Sequence, residues 1–69
     1  MLKKRSFTLA GHRTSVALEV EFWAVLEAEA RQLEKSLAAF VAGVDAARGS
    51  RPLASALRLT ALEAARSRP

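Results

Sequence analysis

Cysteine is absent from this 69-residue chain and histidine occurs once, at His12. Disulfide staples are thereby excluded, and a zinc site of the usual thiolate and imidazole ligands has nothing to be built from. Acidic residues are missing from the first 18 positions, and no apolar run approaches the roughly 18 residues that a membrane-spanning helix requires. Lys3, Lys4 and Arg5 have the charge of a signal-peptide start, but no sustained apolar segment follows them before His12, so no leader and no membrane role are expected. Catalysis needs a positioned nucleophile, acid or metal. The serines, the single histidine and the glutamates fall into no such arrangement, so the expectation is a chain with no enzymatic activity, cofactor or metal. Lack of cysteine also agrees with a reducing, cytoplasmic setting.

What the chain does have is apolar surface. Hydrophobic residues make up 51% of it, although a domain of this size has only a small interior of its own. With disulfides and metals excluded, oligomerisation is the remaining route to stability, and a homodimer sharing one core is expected. Charge is unevenly spread beneath the net value of +4. Lys3, Lys4, Arg5 and Arg13 stand in a front segment without acid; five glutamates outnumber two cations from Glu19 to Ser36; arginine dominates again after Arg48. One basic surface suited to a polyanion, set apart from an acidic one, is the simplest reading.

Alternation of the kind a strand requires occurs at residues 6–9 and again at 14–18, with Gly11 between them. In the second segment Thr14, Val16 and Leu18 share one face, and Arg13, Ser15 and Ala17 share the other. A lone strand is not stable in water, so 14–18 must pair with 6–9, with its counterpart in a second copy, or with both. Pairing with a second copy is preferred, because it also accounts for the apolar excess. From Glu19 the period becomes helical: Phe22, Leu26, Ala30 and Leu33, with Val25 beside them, predict a helix over 20–34, with Phe22 rather than Trp23 in the main stripe. Ser36 is a preferred N-cap for a second helix carrying Leu37, Phe40, Val41 and Val44 and ending at Arg48–Gly49. Pro52, with Ser50 as an alternative cap, opens a third helix to about Arg66, whose stripe is Leu53, Leu57, Ala61 and Ala64. The pattern shows no internal repeat.

The order strand, helix, turn, helix over residues 13–48 resembles the ribbon-helix-helix (MetJ/Arc-type) DNA-binding family. The runs Gly11-His12-Arg13-Thr14-Ser15-Val16-Ala17-Leu18-Glu19, Phe22-Trp23, Ser36-Leu37-Ala38-Ala39, Asp45-Ala46-Ala47-Arg48-Gly49 and Ser55-Ala56-Leu57-Arg58-Leu59 are similar to a bacterial subfamily of it with a C-terminal extension. The resemblance implies a mainly α fold with a short β-ribbon, an intertwined homodimer, and a two-stranded ribbon in the major groove of double-stranded DNA. It divides the chain into a basic arm or extra strand at 1–12, the core at 13–48 and a helical extension at 49–69. It places Arg13, Ser15 and Ala17 at the bases and Ser36 with Leu37 at a phosphate; by their charge, Lys3, Lys4 and Arg5 are either an arm that follows phosphates or a disordered charged terminus. Val16, Leu18, Phe22, Leu26, Phe40, Val41 and Val44 would form the dimer core. The expected role is a nucleoid-associated transcription regulator, acting as a repressor.

Two features depart from the pattern: Ala17 offers a base only apolar contact, and the Leu33-Glu34-Lys35 turn lacks glycine. Lys4, Ser6 and Thr8, which share a strand face, form a second candidate reading edge. The rival function is an antitoxin-like or adaptor dimer that grips another protein through residues 50–66.

Overall fold

Ala10 and Gly11 reverse the chain, with φ of 51° and 82°. Positive φ at both central residues of a two-residue loop is the type I′ geometry, whose twist matches that of the strands it joins. Gly11 adopts it without steric cost, whereas Ala10 holds its backbone in the left-handed region against its own Cβ. The loop joins β1 (Leu2–Leu9) to β2 (His12–Glu19) in an antiparallel pair, with Leu9 opposite His12, Ser6 opposite Ser15 and Leu2 opposite Glu19. Three helices follow: α1 (Val20–Gln32), α2 (Leu37–Ala47) and α3 (Leu53–Arg66). This computed structural model describes residues 1–67.

Of the pairings open to the second strand, the structure shows the one with residues 6–9, extended in both directions by backbone hydrogen bonding that side-chain alternation does not reveal. Both strands of this hairpin belong to one chain. The apolar excess that favoured strand pairing between copies is largely taken up internally. Phe7, Leu9, Val16 and Leu18 of the hairpin, Trp23, Leu26 and Ala30 of α1, Phe40 and Val41 of α2, and Leu53, Leu57 and Ala61 of α3 form one buried cluster. The radius of gyration, 11.3 Å, is that of a compact domain of this length, roughly 11 Å. All four stripe positions expected in the third helix, Leu53, Leu57, Ala61 and Ala64, are buried.

The phase of α1 differs from the expected one. Trp23, Leu26 and Ala30 are its buried residues, Phe22 is half-buried, and Leu33, past the helix end, is 50% exposed. Strand β1 is the reason, since it supplies a wall that the helical period alone does not announce. Trp23 lies against Phe7, with ring centroids 5.9 Å apart, and its Nε1–H donates to the Lys3 carbonyl oxygen at 2.8 Å. That bond satisfies the indole donor in the interior, where an unmet one would cost about 1–3 kcal/mol.

Helix α2 starts as expected: the Ser36 hydroxyl accepts from the Ala39 amide at 3.1 Å, and the helix stops before Gly49, whose φ is 64°. Before it, Glu34 has φ 57°, and the Lys35 amide donates to the Ala30 carbonyl at 2.9 Å. This is the helix-ending geometry that glycine usually occupies. At the start of α3, Pro52 is the capping residue and no side chain caps the helix, so Ser50 does not act there.

Two expectations follow. In a Ser6→Cys/Ser15→Cys variant, whose thiols would be the chain's only two, mild oxidation should give an intrachain disulfide and a fast-migrating single-chain band on a non-reducing gel; disulfide-linked pairs as the main product would place the strand pairing between copies. Glu34→Gly should raise the unfolding free energy by about 1 kcal/mol through relief of the left-handed backbone, and an unchanged or lowered urea midpoint would contradict this account.

Candidate nucleic-acid interface

Residues directly opposite in an antiparallel pair lie on the same face. The register therefore puts Lys4 with Ala17, Ser6 with Ser15, and Thr8 with Arg13 on one side of the hairpin. Arg5 with Val16, Phe7 with Thr14, and Leu9 with His12 lie on the other. The two candidate reading edges, Arg13-Ser15-Ala17 and Lys4-Ser6-Thr8, are thus a single surface. Lys4, Ser6, Thr8, Arg13 and Ser15 are exposed and Ala17 is half-buried. At its centre the Ser6 and Ser15 hydroxyls are 2.9 Å apart, and toward the turn Arg13 Nη1 approaches Thr8 Oγ1 at 3.5 Å.

Among the described residues, neither Lys4 nor Arg13 forms an ion pair. The front segment contributes no acid to this face. The one carboxylate on the same side of β2, Glu19 at the strand's end, is met by Arg58 of α3, Nη2 to Oε1 at 3.0 Å. The Arg58 guanidinium also lies 5.8 Å from the Phe22 ring centroid, within cation–π range. The third helix, an extension beyond the minimal strand-helix-helix core, therefore secures the junction of β2 and α1 and neutralises the acid nearest the basic face.

Arg5 has a different situation from its neighbours. It is half-buried on the core side, donates to Glu27 Oε2 at 2.7 Å and lies 5.1 Å from the Trp23 ring centroid. Its charge is used within the fold. Lys3 is exposed on β1, with its carbonyl held by Trp23. Ser36 lies at the start of α2 with its hydroxyl engaged by Ala39, and Leu37 follows it, half-buried. The seven residues read as a shared core have their places within one chain: Val16, Leu18, Leu26, Phe40 and Val41 are buried, and Phe22 and Val44 pack against them half-buried. Thr14 is half-buried, and His12, beside the turn, is exposed. The strand that carries Lys4, Ser6 and Thr8 is backed by helices, since β1 rests on Trp23 of α1 and touches α2.

The Glu19 carboxyl is held below the ordinary glutamate range, first by a hydrogen bond with its own backbone amide and then by that from Arg58. A lowered folded-state value contributes stability above the unfolded-state value and loses it as pH falls through the folded one. Glu19→Gln should therefore be less stable than the parent near neutral pH, and the gap between their thermal midpoints should close in the acid range below the ordinary glutamate value; a gap that persists unchanged through that range would show that the charge of Glu19 is not its cause.

Comparison with known proteins gives one family. A model described as a ribbon-helix-helix domain matches residues 2–65, nearly the whole chain and including β1 and α3. No curated protein and no solved structure matches. The hairpin with its polar outer face, the two helices joined by a tight turn and the family match agree, and the chain belongs to the ribbon-helix-helix domain family.

Proposed function

We propose that this chain is a transcription regulator that lays the outer face of its hairpin in the major groove of double-stranded DNA. Ribbon-helix-helix domains are in general DNA-binding transcription regulators that work as dimers. The observation that carries the reading here is the outer face itself: Lys4, Ser6, Thr8, Arg13 and Ser15 lie side by side, exposed, with no acid contributed by residues 1–18. A two-stranded ribbon fits the major groove, arginine pairs bidentately with guanine, and serine and threonine hydroxyls donate or accept. Ala17 offers an apolar contact of the kind a thymine methyl accepts.

Phosphates would be met by Lys3 and Lys4 at the start of β1 and by the amide end of α2 at Ser36 and Leu37. That helix end has no acid in its first turn, and its partial positive charge suits an anion. Arg5, paired with Glu27, contributes to the hairpin's seat more than to a phosphate. In this reading the regulator works as a homodimer in the cytoplasm, associated with the nucleoid, and represses by occupying its site. The basic arm or extra strand at 1–12 and the extension at 49–69 then act as one unit with the core at 13–48.

A protein-gripping role for residues 50–66 has less support. The apolar stripe of α3 is spent on the chain's own interior, leaving Leu59 and Leu62 as its exposed large hydrophobics.

A mobility-shift titration across several salt concentrations tests the reading. Binding should weaken steeply with salt, and Arg13→Ala should lower affinity by roughly fivefold or more if the arginine pairs with a base, or reduce the logarithmic salt slope by about one if it meets a phosphate. Failure of the parent chain to bind any duplex at low salt would end the DNA reading.

A further inference from the structure

Two demands on the sequence conflict at Glu19. It ends β2 on the side that carries Arg13, Ser15 and Ala17, and it is the first acid in the chain. It also occupies the N-cap position of α1, where the helix dipole favours negative charge. A carboxylate there suits the helix and opposes a polyanion. The register sharpens the conflict. Lys4 lies opposite Ala17 and is thereby the diagonal cross-strand neighbour of Glu19, a separation that long side chains can span. A carboxylate without another partner would compete with DNA for Lys4.

Arg58 resolves the conflict from outside the strand-helix-helix core. Its Nε and Nη2 both approach Glu19 Oε1, at 3.1 and 3.0 Å, and its guanidinium lies 5.8 Å from the Phe22 ring centroid. Phe22 follows Glu19 by three residues, close to one helical turn, so that ring and carboxylate meet one planar group together. A planar guanidinium can stack on a ring and donate from its edge at once, which an ammonium cannot. Lys4, by contrast, is exposed and forms no ion pair among the described residues.

We propose that Arg58 is a positioning residue for DNA binding: by occupying the Glu19 carboxylate it keeps Lys4 free for a phosphate and keeps a bare acid off the polar face. The inference rests on the DNA-binding function proposed above and gives the C-terminal extension a part in it that needs no contact between α3 and DNA. It holds equally for a ribbon shared between two copies, because Lys4, Glu19 and Arg58 of each chain stand in the same relation.

Mobility-shift titrations on a duplex that the parent chain binds, with Arg58→Gln, Glu19→Gln and the double variant, test this. The pair is solvent-accessible and such pairs contribute little to stability, so each variant should remain folded, which circular dichroism checks. Arg58→Gln should weaken binding by roughly threefold or more and reduce the logarithmic salt slope by about one, as Lys4 passes from phosphate to Glu19. Glu19→Gln should bind at least as tightly as the parent although it is less stable. Adding Arg58→Gln to Glu19→Gln should then change affinity by less than about twofold, because the two changes act through one contact. Arg66→Gln, which removes the same charge from the exposed last turn of α3, should stay within about twofold of the parent. A purely structural pair would instead lose affinity in both single variants, and that result would overturn the proposal. So would an equal loss from Arg58→Gln with and without Glu19, which would put Arg58 itself on DNA, or an equal loss from Arg66→Gln, which would leave only net charge. Each of these leaves the DNA-binding function standing. If the parent binds no duplex at low salt, both fall.

Discussion

The pairing register of the hairpin is the constraint on which the other features depend. Because side chains alternate along a strand, a slip of one residue would turn one strand's inward pair, Phe7 and Leu9 or Val16 and Leu18, outward and bring that strand's polar residues, Lys4 and Ser6 or Arg13 and Ser15, against the helices. The two-residue reversal at Ala10–Gly11 sets that register, and the core holds it from the other side. Burial of a leucine such as Leu18 contributes about 1.5–3 kcal/mol, and a slip would forfeit several such contributions at once.

Trp23 links this register to the helices. Its ring fills the space beneath β1, its indole N–H meets a main-chain carbonyl of that strand, and Arg5 covers it while reaching Glu27 on the next turn of α1. An arginine in a basic N-terminal run is thereby drawn to the inner side of the ribbon, while its neighbour Lys4 is presented outward. Alternation, more than charge density, decides which cations of the run remain available to a polyanion. At the opposite end, Arg58 and Glu19 tie α3 to the point where β2 becomes α1. The extension is thus structurally part of the same body that presents the basic face.

Much of this was legible in the sequence. The second strand with its inward Val16 and Leu18, the capping serine at 36, the stop at Gly49 and the stripe of α3 all depend on neighbours within a few residues, and local periodicity reports them. The outward placement of Arg13 and Ser15 was legible for the same reason. Other features were not. The phase of α1 is set by a strand 20 residues away, which makes Trp23 the central residue and Phe22 the flanking one. The merging of two candidate edges into one face required the partner of each strand residue to be known.

By itself, the sequence determined the sequence-local elements: a strand-forming basic front, three amphipathic helices, and a chain without the cysteines a disulfide needs. Tertiary structure alone decided that β1 is the partner of β2, that Arg5 faces Glu27 while Lys4 faces solvent, and that both strands display one polar surface. The physical reason is that periodicity tells which residues of an element share a side, whereas pairing between elements depends on long-range packing, and only that pairing turns two half-faces into one ribbon.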